Sequence, residues 1–368
     1  MRAMLQRATT PFAAVAATSR VAGRPERAIA AWLYVCCALV FAMVVVGGIT
    51  RLTHSGLSIV EWQPLVGTVP PLTDSEWNTL FDQYKQTPEY KQVNYGMPLS
   101  GFKRIFWWEY SHRLLGRAIG VVFFVPFLWF LARRRIDRRL AWQLGGIFLL
   151  GALQGGMGWY MVKSGLVDDP RVSHFRLTAH LGIALAIFSA ELWIALGLLS
   201  PPLRRAPHAR LARAGLALAA LVFLMALTGG FVAGLHAGRA YNTFPLMNGH
   251  IVPPEIMMLD PWYENFLYNM ATVQFVHRSI AWLLAVLVPI FWLRVQRAGL
   301  EMRARLASDA MLAALVLQIS LGIATLLLVV PVPLAAAHQA GAVLLLATAL
   351  WTAFELRRAL PVNARAFA

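Results

Sequence analysis

The chain alternates between long apolar stretches and short polar segments. Eight of the stretches are long enough to cross about 30 Å of hydrocarbon as helices that rise 1.5 Å per residue. Their lengths therefore predict eight transmembrane helices. The predicted spans are 29–49, 106–131, 141–162, 174–199, 212–235, 270–293, 309–330 and 334–356.

Composition supports a membrane protein. The 368 residues are 58% hydrophobic and 14% charged, whereas soluble domains have about 25% charged residues. A net charge of +16 is also typical of nucleic-acid-binding proteins. Here, however, the basic residues cluster in short loops between apolar stretches, as expected for loops at an anionic cytoplasmic surface. Membrane lipid, and not nucleic acid, is the expected partner.

The positive charges also predict the orientation. Arginines concentrate in the N-terminal tail, in the loops after the second, fourth and sixth spans, and at the C-terminus. These segments share one side, so both termini are expected in the cytoplasm of a bacterial cell, with the helices in its inner membrane. The Arg-rich, acid-poor start is also typical of a mitochondrial presequence, which leaves the mitochondrial inner membrane as an alternative.

The same motifs recur after four spans. A Gly-Gly pair, a long outer loop with Pro-Pro, a His-Arg pair and a later histidine follow in this order in both halves. The pattern predicts an all-α integral membrane protein of eight transmembrane helices, arranged as two duplicated four-helix bundles. The expected boundaries are a cytoplasmic tail at 1–28, a first half at 29–200, a second half at 201–358 and a cytoplasmic tail at 359–368.

Four histidines lie in the even-numbered spans, near their outer ends: His112, His180, His277 and His338. Ionisable side chains inside a membrane are costly and usually functional. Two histidines that face each other across a bundle can fill both axial positions of a heme iron. We therefore expect His112 with His180, and His277 with His338, to bind iron. Zinc prefers four close ligands, copper has no supporting Cys or Met cluster, and hydrogen bonding between helices is the structural alternative.

Four arginines near the same helix ends, Arg113, Arg117, Arg176 and Arg278, are candidates for binding heme propionates. Guanidinium groups bind carboxylates through paired hydrogen bonds. The alternative is that their side chains extend to the membrane interface.

The two halves differ three residues before the first histidine of each pair. Glu109 precedes His112, and Gln274 occupies the matching place before His277. Position −3 lies on the same helical face, so Glu109 is a candidate catalytic carboxylate that accepts a proton or stabilises a developing cation. The first half is then reactive, and the second holds a structural or electron-relay heme. The alternative is an ion pair between Glu109 and a neighbouring arginine.

Three further features have weaker interpretations. Glu191 is expected to be a surface residue at the cytoplasmic end of its helix, with a proton path as the alternative. The long loop at 50–105 is expected to cap the first site. Cys36 and Cys37 are expected to pack as small apolar residues, without a disulfide or metal.

Several motifs resemble heme A synthase of the proteobacterial and mitochondrial type. They are GGITRLTHSGLSIVEWQPLVGTVPPL (47–72), PEYKQVNYGMPLSGFKRIFWWEYSHRLLGR (88–117), TAHLGIAL (178–185), GGFVAGLHAGRAYNTFPLMNG (229–249), QFVHR (274–278) and AHQAGA (337–342). The resemblance covers residues 30–356. The cysteine pair that some bacterial relatives carry in the first outer loop is missing here, so thiol-based electron input is not expected.

The resemblance implies an enzyme that oxidises the C8 methyl group of heme O to a formyl group by successive hydroxylations. It implies that His112 and His180 bind the substrate heme, that His277 and His338 bind heme b, and that Glu109 acts in the oxidation. Heme O synthase and cytochrome oxidase assembly factors are the implied partners, and a homo-oligomer is compatible with the sequence. The alternatives are a diheme electron-transfer protein, which would not need Glu109, and a transporter, which would not need four histidines at one depth.

Overall fold

The computed structural model describes residues 23–61, 66–166, 170, 172–200 and 208–358. The C-terminal tail predicted at 359–368 and most of the N-terminal tail lie outside the described residues. The helices are α1 (Arg24–Leu52), α2 (Asp74–Lys85), α3 (Pro88–Gln92), α4 (Leu99–Ala132), α5 (Arg138–Gly165), α6 (His174–Leu199), α7 (Ala209–Gly234), α8 (Asn265–Tyr268), α9 (Met270–Arg297), α10 (Met302–Leu327) and α11 (Val332–Leu356).

Eight of these helices are long and apolar enough to cross a membrane: α1, α4, α5, α6, α7, α9, α10 and α11. The prediction of an all-α protein with eight spans is confirmed, and the chain is a multi-pass membrane protein. Most helices exceed their predicted spans. Helix α4, with 34 residues, begins at Leu99 instead of 106, because its first two turns pack beneath the outer loop.

Local sequence determines several of the helix ends. The Asn269 side chain accepts hydrogen bonds from the amides of Ala271 and Thr272 at the start of α9. The Asp137 carboxylate accepts one from the Leu140 amide at the start of α5. Asparagine and aspartate are favoured at this position because their oxygens satisfy amides that have no partner within the helix.

Each half closes into a ring of four spanning helices. In the first half, α1 contacts α4 and α6, and α5 completes the ring between them. In the second half, α7 contacts α9 and α11, and α10 completes the ring. The halves meet where α1 and α6 pack on α7 and α11. This arrangement is consistent with two duplicated bundles, and the duplication itself stays a prediction.

The first outer loop, predicted only as a loop at 50–105, contains the two short helices α2 and α3. Thr73 caps α2 in a reciprocal arrangement, in which its hydroxyl accepts from the Glu76 amide and Glu76 accepts from the Thr73 amide. Apolar faces of these helices pack Trp77, Phe81 and Tyr84 onto the outer end of α4. Burial of these large rings stabilises the loop on the outer face of the first half.

The expectation that Glu191 is a surface residue is wrong. Its side chain is 1% exposed and lies in the buried face of α6, next to the Cys37 thiol of α1. It is buried because α1 packs along α6 to the inner end of the bundle. Cys36 and Cys37 are both free and buried, which confirms their interpretation as packing residues.

Candidate functional site

Every one of the four histidine rings lies against a glycine of the preceding spanning helix. A Cβ atom at Gly158 would be 3.2 Å from Cε1 of His180. The same type of contact joins Gly47 to His112, Gly229 to His277 and Gly322 to His338. A side chain at these positions would occupy the space of the ring, so glycine allows the close approach.

The two glycines of each Gly-Gly pair contact different halves of the molecule. Gly47 faces His112 of its own half, whereas Gly48 faces Gln339 of the second half. Gly229 and Gly230 repeat this arrangement: Gly229 faces His277, and Gly230 faces Thr178 of the first half. Each pair therefore brings a histidine ring and the opposite half close to the same helix.

The two histidines of each predicted pair lie close enough to interact electrostatically, His112 with His180 and His277 with His338. Their pairing on one iron stays a prediction. No three or more His, Cys, Asp or Glu side chains cluster as metal ligands anywhere in the described ranges. His180, His277 and His338 lie within about two turns of the start of their helices, whereas His112 lies thirteen residues into α4, because α4 extends beyond its predicted span into the outer loop region. Two imidazoles per half fit the two axial positions of a heme iron better than a four-ligand zinc site.

Buried polar atoms without hydrogen-bond partners recur beside the second histidine of each pair. They include Nδ1 of His180 and Oε1 of Gln154 in the first half, and Oε1 of Gln318 in the second. Gln154 and Gln318 each precede by one helical turn the glycine that faces the histidine. Buried polar atoms are normally satisfied, so these repeated unsatisfied atoms are compatible with a bound group in each half.

Glu109 is held in a fully bonded ion pair on the buried face of α4. Its side chain is 2% exposed. One carboxylate oxygen accepts from Ser58 Oγ at 2.7 Å and from the Ile59 amide at 2.8 Å. The other accepts from Arg113 Nε at 3.0 Å and Nη2 at 2.6 Å. The ion pair with a neighbouring arginine, named above as the alternative for Glu109, is therefore present, and the catalytic role of Glu109 stays a prediction.

Arg113 also holds the outer loop. Its Nη2 donates to the Ile59 carbonyl at 2.9 Å, and its Nη1 donates to the Glu61 carbonyl at 3.3 Å. Most of its donors are thus used within the chain. The prediction that Arg113 binds a propionate is not tested, but these contacts give it a structural task that the sequence pattern did not indicate.

The second half repeats this arrangement with a neutral partner. Gln274 donates from Nε2 to the Ala237 carbonyl at 2.9 Å and accepts from Arg278 Nη2 at 3.2 Å. Arg278 also donates to the carbonyls of Tyr241 and Thr243. Each half therefore ties its outer loop to the helix that carries its first histidine, and only the first half uses a carboxylate.

The other two candidate arginines are in different environments. The Arg176 guanidinium lies 4.3 Å from the centre of the Tyr160 ring, in a cation–π contact between α6 and α5. Arg117 is half-buried on α4, one turn after Arg113. The structure leaves the propionate role of all four arginines as a prediction.

The outer loop contains a buried carboxyl group that the sequence pattern did not indicate. Glu89, in α3, is 4% exposed. Burial, together with the nearby negative charge of Glu109, raises the pKa of Glu89 to about 7. Nothing in the sequence around Glu89 marks it as buried, because its burial depends on how the folded loop packs on α4.

Known proteins are similar to this chain over most of its length. A family described as cytochrome oxidase assembly protein matches residues 30–350. The protein of Nitrosospira multiformis named heme A synthase is 65% identical over 338 residues, which are 90% of this chain and 94% of the relative. The chain belongs to the heme A synthase family. The resemblance inferred from the motifs is thereby confirmed.

Two further heme A synthases show how far the similarity extends. The protein of Nitrosomonas eutropha is 57% identical over 332 residues, covering 89% of this chain and 93% of its own length. The protein of Paramagnetospirillum magneticum is 49% identical over 346 residues, covering 92% and 97%. Similarity to this heme A synthase family thus includes both halves and both outer loops.

Proposed function

We propose that this protein is a heme A synthase, which oxidises the C8 methyl group of heme O to a formyl group. The observation that carries the proposal is the paired histidine arrangement, repeated in both halves of a chain that is 65% identical to a protein with that name. Heme A is required for cytochrome oxidase, in agreement with the family description.

The first half is the proposed substrate site. His112 and His180 lie on facing helices and would hold the iron of heme O from both sides. Glu109, three residues before His112, lies on the same face of α4. Its negative charge would stabilise positive charge that develops as the methyl group is oxidised, and its carboxylate is the candidate proton acceptor of this half. Ser58 and Ile59 hold this carboxylate in one orientation.

The outer loop covers the first site in this proposal. Arg113 and Glu109 bind the loop at residues 58–61, and aromatic rings of α2 pack on α4. A loop held in this way would exclude bulk water from the reacting edge. The Tyr110 hydroxyl adds a further anchor by donating to the Thr68 carbonyl at 2.7 Å.

The second half is the proposed cofactor site, in which His277 and His338 would hold heme b. Heme b supplies one-electron transfer when bound. The chain contributes Gln274 in place of the carboxylate, so this half has hydrogen bonds to its loop but no equivalent proton acceptor. The residues that would bind the propionate groups of the two hemes are Arg113, Arg117, Arg176 and Arg278.

The proposed location is the bacterial inner membrane, with both termini in the cytoplasm, because the arginine-rich loops share one side and the relatives above come from bacteria. Heme O synthase, as the source of the substrate, and cytochrome oxidase assembly factors are the proposed partners. A homo-oligomer is compatible with this arrangement.

The test is the analysis of hemes extracted from cells that make heme O and express this chain. Heme A or its hydroxylated precursor is expected with the natural chain. Glu109→Gln, which places the second half's residue in the first half, is expected to retain bound heme O and to lose heme A. If the natural chain yields only heme b, the electron-transfer alternative is favoured. If Glu109→Gln makes normal amounts of heme A, the carboxylate has no role in the oxidation.

A further inference from the structure

We propose that Thr228 is a positioning residue that fixes the orientation and tautomer of His277, and that Val46 leaves the matching His112 free to turn. The inference rests on the proposed function, in which both histidines bind iron. It assigns a physical cause to the difference between a retained heme in the second half and an exchanging heme in the first.

The Thr228 hydroxyl makes two hydrogen bonds of 2.8 Å. One joins Oγ1 to Nδ1 of His277, and the other joins Oγ1 to the Met225 carbonyl. A carbonyl only accepts, so the single hydroxyl hydrogen points to Met225. Oγ1 must then accept at its other contact, and the hydrogen of that bond comes from Nδ1 of His277.

This arrangement decides which nitrogen of His277 is available. A neutral imidazole carries one hydrogen, so a hydrogen on Nδ1 leaves the lone pair on Nε2. Histidines that bind metals usually donate their other N–H to a fixed acceptor, which orients the ring and increases its basicity as a ligand. The Thr228 hydroxyl supplies such an acceptor for His277.

The first half has no hydroxyl at the equivalent place. Val46 precedes Gly47 as Thr228 precedes Gly229, and a valine side chain cannot accept a hydrogen bond. The two rings also present different edges to their glycines. A Cβ at Gly47 would lie 3.0 Å from Nε2 of His112, whereas a Cβ at Gly229 would lie 3.3 Å from Cε1 of His277.

The ring of His112 therefore turns Nε2 towards α1, and the ring held by Thr228 turns Nε2 away from α7. A ligand that must rotate before it binds iron holds it less firmly than one already oriented. Weak, reversible ligation suits a site where a heme enters as substrate and leaves as product. Fixed ligation suits a heme that stays.

The test uses the full-length chain with His112→Ala and His180→Ala, a background that keeps only the second pair. Thr228→Val removes the hydroxyl while keeping the shape, and Thr228→Ser keeps the hydroxyl. Retention of heme b is measured by transfer to apomyoglobin, and the midpoint potential by redox titration. Thr228→Val is expected to weaken heme retention about 10- to 100-fold and to raise the midpoint potential, because a less basic ligand stabilises the oxidised iron less. Thr228→Ser is expected to restore both.

Val46→Thr, the matched control, is expected to change neither measurement in this background. Equal retention and potential in Thr228→Val and the unmodified background would overturn the inference, as would a Thr228→Ser variant that behaves like Thr228→Val. A background protein that binds no heme at all would instead contradict the proposed function, because it would show that His277 and His338 are not a heme site.

Discussion

The ion pair between Glu109 and Arg113 gives the sharpest prediction about stability. Arg113→Met removes the guanidinium but keeps most of the apolar stem. The carboxylate of Glu109, 2% exposed, would keep only the bonds from Ser58 and Ile59 and would lose its counter-charge. Removing one partner of a buried pair costs about 3–5 kcal/mol because the remaining charge is uncompensated.

The cost should depend on the charge at position 109. In a Glu109→Gln background no charge is stranded, so Arg113→Met should cost only about 1–2 kcal/mol for its lost bonds to the loop carbonyls. The second half offers a natural control, since Arg278 faces the neutral Gln274. Arg278→Met should therefore resemble the Glu109→Gln background and not the natural first half.

Hydrogen exchange of the Ile59 amide measures this effect directly, because that amide donates to Glu109 at 2.8 Å. A difference of about 3 kcal/mol corresponds to more than 100-fold faster exchange when exchange reports local opening. The peptide that contains Ile59 would be followed by mass spectrometry in detergent. Equal acceleration by Arg113→Met in the natural and Glu109→Gln backgrounds would refute the reasoning, because the charge would then have no part in holding the loop.

Three further predictions concern single positions. Burial raises the pKa of Glu89 from 4.5 to about 7, so the folded loop favours the protonated carboxyl group. The resistance of the loop to proteolysis should therefore be greatest below pH 4.5 and should fall as the pH rises to about 7. Glu89→Gln should remove this pH dependence. Gly158→Leu should fill the space beside His180 and abolish heme binding in the first half, as measured by heme content. Gly145→Leu is the control and should leave heme content unchanged, because nothing lies within 4 Å of a Cβ at Gly145. Gly230→Val should lower thermal stability by about 1–3 kcal/mol, because its Cβ would lie 2.8 Å from Thr178 Oγ1 of the other half, with Gly145→Val as the control.

The spans and the repeated motifs could be predicted because a bilayer imposes a strict length on apolar helices. The four histidines could be predicted as functional because ionisable side chains inside a membrane are costly and are usually functional. The glycines that contact the histidine rings could be predicted only in part. The pairs at Gly47 and Gly229 stood out as repeats, but Gly158 and Gly322 have no feature in the sequence that separates them from other helix glycines.

The placement of the polar side chains around the site could not be predicted, because it depends on how loops and helices return to each other. Arg113 was expected to bind a propionate, which stays a prediction, and the structure shows that it holds the loop through Ile59 and Glu61. Glu191 was expected at the surface because it lies near a helix end, but packing of α1 on α6 buries it. The role of Thr228 could not be predicted from the sequence, because it depends on the 2.8 Å contact between Thr228 Oγ1 and His277 Nδ1.

The central claim is that two imidazoles hold a heme iron in each half. Its most direct test is the heme content and absorption spectrum of the purified chain, compared with variants that lack one pair. Two bis-imidazole hemes are expected when heme O is supplied, with one lost in His112→Ala, His180→Ala and the other lost in His277→Ala, His338→Ala. Unchanged heme content and an unchanged spectrum in either variant would contradict the account.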